Sequence, residues 1–246
     1  MSRLKEVTGA PRADNACTFC GVCGYAICGA LSPAELADLD KMAKRAVFAP
    51  KETLFAQGEP ATKVYSVSEG VVRLYKLLPD GRRQVIGFKL PGDFIGMASA
   101  ELHGLAADAI NQVSVCWFPR SAFLHFSEDK VTLLRRLNEF ANRELSYAHD
   151  RMLLLGRFTA EEKMASFIMG WRERLARLGR GQIEIALPMS RRDIADYLGL
   201  TIETVSRTFT RFERENIFSV VPGGVRVIDE FRARQLAAAL PSKDRN

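Results

Sequence analysis

Long apolar runs are absent from this chain of 246 residues. Its first stretch, MSRLKEVTGAPRADNA, is polar and charged, and it has no apolar core of the kind that a secretory signal carries. No later run approaches the roughly 20 apolar residues that a helix needs to cross a bilayer. The sequence also lacks internal repeats and low-complexity stretches, so repeat arrays are not expected. We therefore predict a cytoplasmic protein without a membrane segment.

Cysteine is scarce too, yet four of the five cysteines lie in one short stretch, CTFCGVCGYAIC. The stretch holds Cys17, Cys20, Cys23 and Cys28, and the fifth cysteine is Cys116. In a reducing cytoplasm, clustered cysteines are more often metal ligands or redox groups than disulfides, and five is an odd number. Neighbouring glycines let a short loop wrap closely around a bound group. The stretch therefore predicts a metal or cluster site.

The charge balance is only moderately basic, with a formal net charge of +6 and a pI near 9.2. This balance is compatible with binding a polyanion such as DNA. Many ordinary enzymes are equally basic, so the function has to come from local patterns.

Short β-rich runs cut by glycine and proline fill the region from Phe48 to Phe118. Runs such as VYSVSEG and QVIGFKLPGD end in turn residues at regular intervals, which is typical of a compact antiparallel barrel or sandwich. A helix capped by Ser32, with Glu35 three residues later, precedes them. Cys116 lies in the last of these strands, so we expect it to be held rigidly.

One long helix is predicted from about Asp129 to Leu155. Apolar and small residues at alternating spacings of three and four form a coiled-coil seam along it: Val131, Leu134, Asn138, Ala141, Leu145, Ala148, Met152 and Leu155. A second apolar stripe can face the chain's own barrel: Leu133, Leu137, Phe140, Tyr147 and Leu154. Two faces need two partners, so we predict a dimer whose interface contains Leu134, Ala141, Leu145, Ala148 and Met152. A single wide stripe on a monomer is the alternative.

The stretch SRRDIADYLGLTIETVSRTFTRFERENIF carries the pattern of a helix-turn-helix. Ser190 caps the first helix, Ala195 permits close approach of the two helices, and Gly199 makes the turn. The following FSVVPGGVRVID predicts two strands of a wing. A further helix, capped by Thr159 with Glu162 three residues on, comes before this region.

The outer face of the second helix presents Glu203, Ser206 and Arg207 near its N-terminal end, where a recognition helix contacts base edges. Arg207 suits guanine O6 and N7, Glu203 suits cytosine N4, and Ser206 is short enough for a base or thymine edge. Three further cations are expected on DNA phosphates: Arg191, Arg192 and Arg211. The alternative is that these charged residues form only the solvent-exposed face of an ordinary pair of amphipathic helices.

Taken together, these elements make the chain resemble the CRP/FNR superfamily of transcription regulators over nearly its full length. The resemblance implies an α+β fold with a cyclic-nucleotide-binding-like β-roll, a long dimerisation helix and a C-terminal winged helix-turn-helix. The expected boundaries are a cysteine-rich segment over 1–30, the β-roll over 31–128, the dimerisation helix over 129–156 and the DNA-binding domain over 157–246.

The most specific part of the resemblance is ETVSR, Glu203 to Arg207, which is similar to the recognition signature of the FNR branch. The CRP branch has an arginine before this glutamate, where this chain has Ile202. The resemblance therefore implies that a homodimer binds an inverted repeat of TTGAT, mainly as an activator. It also implies contact with RNA polymerase through exposed β-roll loops, for which the turn at Pro79 to Gly81 is a candidate.

Relatives in this superfamily hold different effectors in or near the β-roll. Cyclic-nucleotide binders carry a Gly-Glu pair and an Arg-Ser pair, whereas this chain has Asp93 instead of the glutamate and no Arg-Ser before the last strand. We therefore expect no cyclic nucleotide. Haem needs an axial ligand, and the candidates are only His103, His125 and His149, of which His149 is expected on the surface of the long helix.

FNR-type oxygen sensors bind a [4Fe-4S] cluster through three N-terminal cysteines and one in the β-roll, where Cys116 lies. The pattern C-x2-C-x7-C fits Cys17, Cys20 and Cys28, which leaves Cys23 as the spare. The other family pattern, C-x2-C-x5-C, requires a third ligand one residue after Cys28. Zinc accepts the same four thiolates and stays an alternative.

We therefore predict an oxygen-responsive, cluster-binding DNA regulator. A regulator of the same family whose cysteines hold zinc or sense thiol oxidation is the alternative. An enzyme is not expected, because the β-roll sequence offers no acid, base or nucleophile grouping around a pocket.

Overall fold

A computed structural model describes residues 20–97, 101–179 and 183–237. The chain divides into two compact units within its longest helix, between Arg143 and Glu144. Within the described ranges, no helix is long and apolar enough to cross a membrane. Cys17 lies outside these ranges.

The first unit is built on two antiparallel four-stranded sheets, with strand orders β1-β8-β3-β6 and β2-β7-β4-β5. This arrangement confirms the predicted β-roll. Its strands are β1 Lys44–Phe48, β2 Thr53–Phe55, β3 Lys63–Glu69, β4 Val72–Leu77, β5 Arg83–Lys89, β6 Phe94–Ile95, β7 Ala106–Ala109 and β8 Val113–Pro119. The helical elements of this unit are a 3-10 turn Ile27–Ala30, α1 Pro33–Met42, α2 Arg120–Ser127 and the first half of α3 Val131–Arg157.

The sheet that contains β8 separates two cores, because alternate side chains of a strand point to opposite faces. Val115 and Trp117 face inward and pack in the barrel core with Tyr65 and Val67. Cys116 and Phe118 face outward, into a second core that α1, α2, α3 and the cysteine-containing segment cover. Cys116 is therefore in the predicted strand, and it lies on the outer face of the roll.

Helix starts follow the local signals in the sequence. Ser32 accepts a hydrogen bond from the Glu35 N–H, and the Glu35 carboxylate accepts one from the Ser32 N–H, which confirms the predicted capping box. Thr159 and Glu162 form a second capping box, at the start of α4 Ala160–Arg177. Each box satisfies backbone donors that the first turn of a helix leaves unpaired.

The long helix α3 has a covered face and an exposed one. Leu133 is fully buried, and Leu137 and Phe140 pack beside it in the outer core of the first unit, as predicted for these three. The other two residues of that stripe belong to the second unit, where Leu154 is buried and the Tyr147 hydroxyl accepts a hydrogen bond from Arg177. The predicted seam is exposed on this single chain, with Leu134 43%, Leu145 55% and Met152 64% accessible.

The second unit contains the predicted helix-turn-helix and its wing. After α4 come β9 Glu184–Ala186, α5 Arg191–Leu198, α6 Ile202–Arg214, β10 Phe218–Val221, β11 Gly224–Val227 and α7 Glu230–Ala237. The three strands form one antiparallel sheet, and Val221 pairs with Gly224 across a loop of Pro222 and Gly223. Gly224 therefore belongs to a strand of the wing and not to its turn.

Two glycines with the same backbone conformation test how tightly the roll is packed. Gly70 has φ +80 and a Cβ there would lie 2.2 Å from the Gln112 carbonyl oxygen, whereas Gly58 has φ +82 and open space around it. Gly58→Ala should lower the free energy of unfolding by about 1 kcal/mol, the cost of the left-handed backbone for a residue with a Cβ. Gly70→Ala adds overpacking to this cost, so its total loss should be about 3 kcal/mol or more. Urea unfolding of both variants measures the difference in the free energy of unfolding. Equal losses would contradict the packing at Gly70.

Candidate cysteine site and nucleic-acid interface

The described cysteines converge on one cavity at the outer face of the roll. Cys20, Cys23, Cys28 and Cys116 line it together. Ser66, Ser68, Val22, Ala26 and Phe118 complete the lining. Three of the four predicted ligands, Cys20, Cys28 and Cys116, thus meet in space, although Cys116 is far from the others in the chain. The cysteine regarded as the spare, Cys23, is beside them.

Tight turns bring the N-terminal cysteines together. The Cys20 carbonyl accepts the Cys23 N–H at 3.0 Å, and the Val22 carbonyl accepts the Ala26 N–H at 2.9 Å. A Cβ on Gly29 would lie 2.7 Å from the Cys23 carbonyl oxygen, so a glycine is required there. The segment Cys20 to Ala30, which we call the cysteine segment, is therefore folded back on itself.

The cysteine segment is anchored to the rest of the first unit through buried side chains and one polar contact. Ala26 and Ile27 are 1% and 0% exposed and lie in the outer core with Leu133 of α3. The Arg136 guanidinium of α3 donates a hydrogen bond to the Tyr25 carbonyl at 3.3 Å. Nothing in the sequence pattern signals the Arg136 contact, because it joins residues more than a hundred positions apart.

Burial and mutual repulsion raise the pKa of three of these thiols, Cys23, Cys28 and Cys116. Burial, followed by the neighbouring Cys23, Cys116 and Cys20, raises the pKa of Cys28 to about 12. Burial also raises the pKa of Cys116 and of Cys23, with Cys20 contributing to both shifts. A cationic metal centre would remove this penalty, because thiolates are its ligands and it supplies the missing charge.

Cysteine thiolates are ligands for two kinds of metal centre, a single zinc ion and an iron–sulfur cluster. Within the described ranges, no three His, Cys, Asp or Glu side chains are close enough together to hold one ion. Zinc needs four ligands close to one centre, with Zn–S distances of about 2.3 Å. A cluster places each thiolate on a different iron and so accepts sulfurs that lie farther apart. Cysteine thiolates therefore suit the chemistry of either centre.

The helix-turn-helix begins and turns at the residues that the sequence indicated. Ser190 accepts a hydrogen bond from the Asp193 N–H at 3.1 Å, and Gly199 ends α5 with φ 63, a left-handed conformation that suits glycine. Thr201 caps α6 by accepting from the Thr204 N–H at 3.2 Å. That cap was not predicted, although threonine directly before a helical run is a recognisable signal.

The recognition face of α6 is open, while its other face is buried. Val205, Phe209 and Phe212 are at most 5% exposed. Glu203 and Arg207 are exposed, and Ser206 is half-buried. The backbone N–H groups, the Thr201 hydroxyl and Arg207 together lower the pKa of Glu203, which keeps it an anionic acceptor.

The predicted phosphate-binding arginines have different surroundings. Arg191 donates to the Ser206 hydroxyl at 3.2 Å and lies over the Phe209 ring, and Arg192 is exposed. Arg211 is ion-paired with Glu161 at 2.6 Å and Glu215 at 2.8 Å. Its phosphate contact stays a prediction, since the structure gives Arg211 two partners inside the second unit.

The residues considered for other effectors have local roles in the described structure. The Asp93 carboxylate accepts the Leu90 N–H at 2.8 Å and so closes a turn. His103 is buried and stacks on Phe55, and burial lowers its pKa. His125 lies beside Glu128, and His149 is exposed as expected.

Two known domain families match the chain. The family described as "Bacterial regulatory proteins, crp family" matches residues 187–217. The family described as "Cyclic nucleotide-binding domain" matches residues 45–130. The first match covers the helix-turn-helix, and the second covers the strands of the roll.

Similar proteins extend these matches to nearly the whole chain. The transcriptional activatory protein AadR of Rhodopseudomonas palustris is 57% identical over 90% of this chain and 93% of its own length. The nitrogen fixation regulation protein FixK of Bradyrhizobium diazoefficiens is 52% identical over 91% of this chain and 94% of its own. The transcriptional activator protein FnrA of Stutzerimonas stutzeri is 33% identical over 90% of this chain and 92% of its own length. Among solved structures, FixK2 from Bradyrhizobium japonicum aligns with a TM-score of 0.74 and 42% identity over 80% of this chain and 98% of that one.

The pKa of Cys28 gives the cysteine site a testable pH dependence in metal-free protein. The thiolate reacts with iodoacetamide, so a pKa raised to about 12 slows the reaction at neutral pH. At about pH 8 we expect Cys28 to react about 100-fold or more slowly than in urea-unfolded protein, and its rate to rise about tenfold per pH unit. Mass spectrometry of the alkylated peptides gives the rates. A rate that stops rising near pH 9.0, the ordinary pKa of a cysteine thiol, would contradict the burial of this thiol.

Proposed function

Because the chain belongs to the CRP/FNR family of bacterial transcription regulators, we propose that it is an oxygen-responsive activator that binds a [4Fe-4S] cluster. DNA binding in transcription regulation follows from the family. The oxygen response is the proposed part, and the observation that carries it is the meeting of Cys20, Cys28 and Cys116 in the lining of one cavity.

The proposed ligands are Cys17, Cys20, Cys28 and Cys116, with Cys23 as the alternative to Cys17. The C-x2-C-x7-C spacing supports Cys17 together with Cys20 and Cys28. A zinc site or a thiol-redox site formed by the same cysteines is the alternative.

When bound, such a cluster supplies an iron centre whose stability depends on oxygen. The protein's own contribution is to hold ligands from two distant parts of the chain. Cys28 lies on the cysteine segment and Cys116 on β8, so ligation joins the segment to the roll. Ala26 and Ile27 pack against Leu133, which places this joint directly beside the start of α3. Loss of the ligation removes the joint between the segment and β8, and it leaves the segment held on α3 by this packing and by the Arg136–Tyr25 contact.

Helix α3 is proposed to be the dimer interface. The seam residues Leu134, Leu145 and Met152 are large, apolar and between 43% and 64% exposed, which favours burial against a second copy. A two-fold dimer presents two α6 helices, as a palindromic DNA site with half-sites one helical turn apart requires.

The proposed DNA site is an inverted repeat of TTGAT, read by the exposed face of α6. Arg207 is suited to guanine, Glu203 to cytosine on the complementary strand, and Ser206 to a neighbouring base. Arg191 and Arg192 lie at the start of α5, and we assign them to phosphates. RNA polymerase is the proposed protein partner, with the exposed turn at Pro79, Asp80 and Gly81 as the contacting surface.

The test compares wild type, Cys116→Ser, Cys17→Ser and Cys23→Ser after purification without oxygen. Iron and sulfide content and affinity for a TTGAT inverted repeat are measured before and after exposure to air. We expect about four irons per wild-type chain, loss of iron and DNA affinity in Cys116→Ser and Cys17→Ser, and retention of both in Cys23→Ser. Air should abolish tight binding by the wild type.

Each outcome of this comparison has a definite meaning. Iron loss in Cys23→Ser but not in Cys17→Ser would identify Cys23, instead of Cys17, as the fourth ligand. Undiminished DNA binding by Cys116→Ser and by air-exposed wild type would overturn the oxygen response.

The dimer helix is tested by placing a charge on its seam. Leu145→Glu buries a carboxylate in the predicted interface, and we expect it to weaken dimerisation at least about tenfold, with a parallel loss of DNA affinity. Leu153→Glu is the matched control, because Leu153 is 56% exposed on the same helix but lies off the seam. Sedimentation of both variants, each carrying the bound cluster, measures the fraction of protein that is dimeric. Equal effects of the two substitutions would show that α3 does not pair through this seam.

A further inference from the structure

Four thiolates around an iron–sulfur cluster carry a net negative charge, which is costly to bury without a compensating cation. We propose that Arg45 is the positioning residue for the β-roll ligand: its guanidinium donates a hydrogen bond to the Cys116 sulfur and offsets the negative charge of the bound group. This inference rests on the proposed function.

Strand register places Arg45 beside Cys116. The two residues are direct partners in the antiparallel pairing of β1 and β8. Directly opposite side chains in such a pair point to the same face and lie close enough to interact. Ala46 and Phe48 of β1 face the barrel core, so Arg45 faces outward, toward the side of the sheet on which Cys116 lies.

The positive charge of Arg45 lies directly opposite Cys116 in the strand pair. This charge favours the Cys116 thiolate and partly opposes the rise in the pKa of Cys116 that burial causes. Asp40 is the acidic group that acts on the same sulfur in the opposite sense. The neighbouring cation, Lys44, pairs with Trp117 instead, and its ammonium lies over the Trp117 ring at 5.1 Å.

The chemistry of this contact predicts the direction of its effect. Hydrogen bonds to ligand sulfurs and nearby positive charge stabilise the more reduced, more negative form of a cluster, and so raise its reduction potential. Partners of metal ligands typically change metal affinity by about 10- to 100-fold. Without Arg45, the bound cluster should be oxidised more readily, and Cys116 should be released sooner.

The experiment compares Arg45→Gln and Arg45→Lys with Lys44→Gln, which removes a positive charge from the adjacent residue without touching Cys116. We expect Arg45→Gln to lose iron in air about tenfold faster than wild type and to have a lower reduction potential in an anaerobic titration. Arg45→Lys should be intermediate, and Lys44→Gln should match wild type. Equal rates and potentials for Arg45→Gln and Lys44→Gln would overturn the assignment.

A second readout separates this inference from the proposed function. Alkylation of Cys116 in metal-free protein depends on the Arg45 contact whether or not the wild type carries iron. Slower alkylation in Arg45→Gln than in Lys44→Gln supports the contact even if the wild type proves to be iron-free, an outcome that would overturn the proposed function alone. Equal alkylation rates in the two variants would overturn the contact itself.

Discussion

The burial of the cysteine segment on the outer face of the β-roll is the contact on which the rest of the account depends. Ala26, Ile27 and Cys28 are nearly inaccessible and share one core with Phe118 of β8 and Leu133 of α3. A short segment at the edge of a domain stays ordered only where it buries enough apolar surface to offset its conformational entropy. This segment does so at the point where the last strand of the roll and the start of α3 meet.

The charge on the cysteine side chains determines whether the buried cysteine segment can hold a bound group. The thiols of Cys23, Cys28 and Cys116 resist ionisation in a largely apolar site, as the raised pKa of each shows. A bound cationic centre reverses that preference and turns mutually repelling groups into shared ligands. Helix α3 begins beside these cysteines and continues into the second unit, which is why we propose that a change at the cysteines acts on the first turns of the dimer helix.

Much of this structure follows from signals that are local in the sequence. The capping boxes at Ser32 and Thr159, the glycine turn at Gly199 and the strand that holds Cys116 were predicted because each depends on residues a few positions apart. Strand β1 was missed, because residues 44–48 were assigned to the helix that precedes them. Two short helices, α2 and α7, were missed as well. Both are only eight residues long, too short to show the periodicity from which helices are predicted.

Contacts between distant residues could not be predicted in the same way. The pairing of Arg45 with Cys116 requires the register of β1 on β8, and a shift of one residue would point the two side chains to opposite faces. The ion pairs of Arg211 show the same limit, because Glu161 lies fifty positions away and is brought close only by the packing of the second unit. The sequence therefore predicted which residues carry the chemistry better than it predicted which groups surround them.

The visible absorption spectrum of protein purified without oxygen tests the central claim most directly. The account predicts a brown protein whose absorption bleaches on exposure to air, with release of iron and sulfide from the cysteine site. A colourless protein that contains zinc or no metal would contradict the oxygen-responsive cluster, and it would leave a DNA-binding regulator whose cysteines serve another purpose.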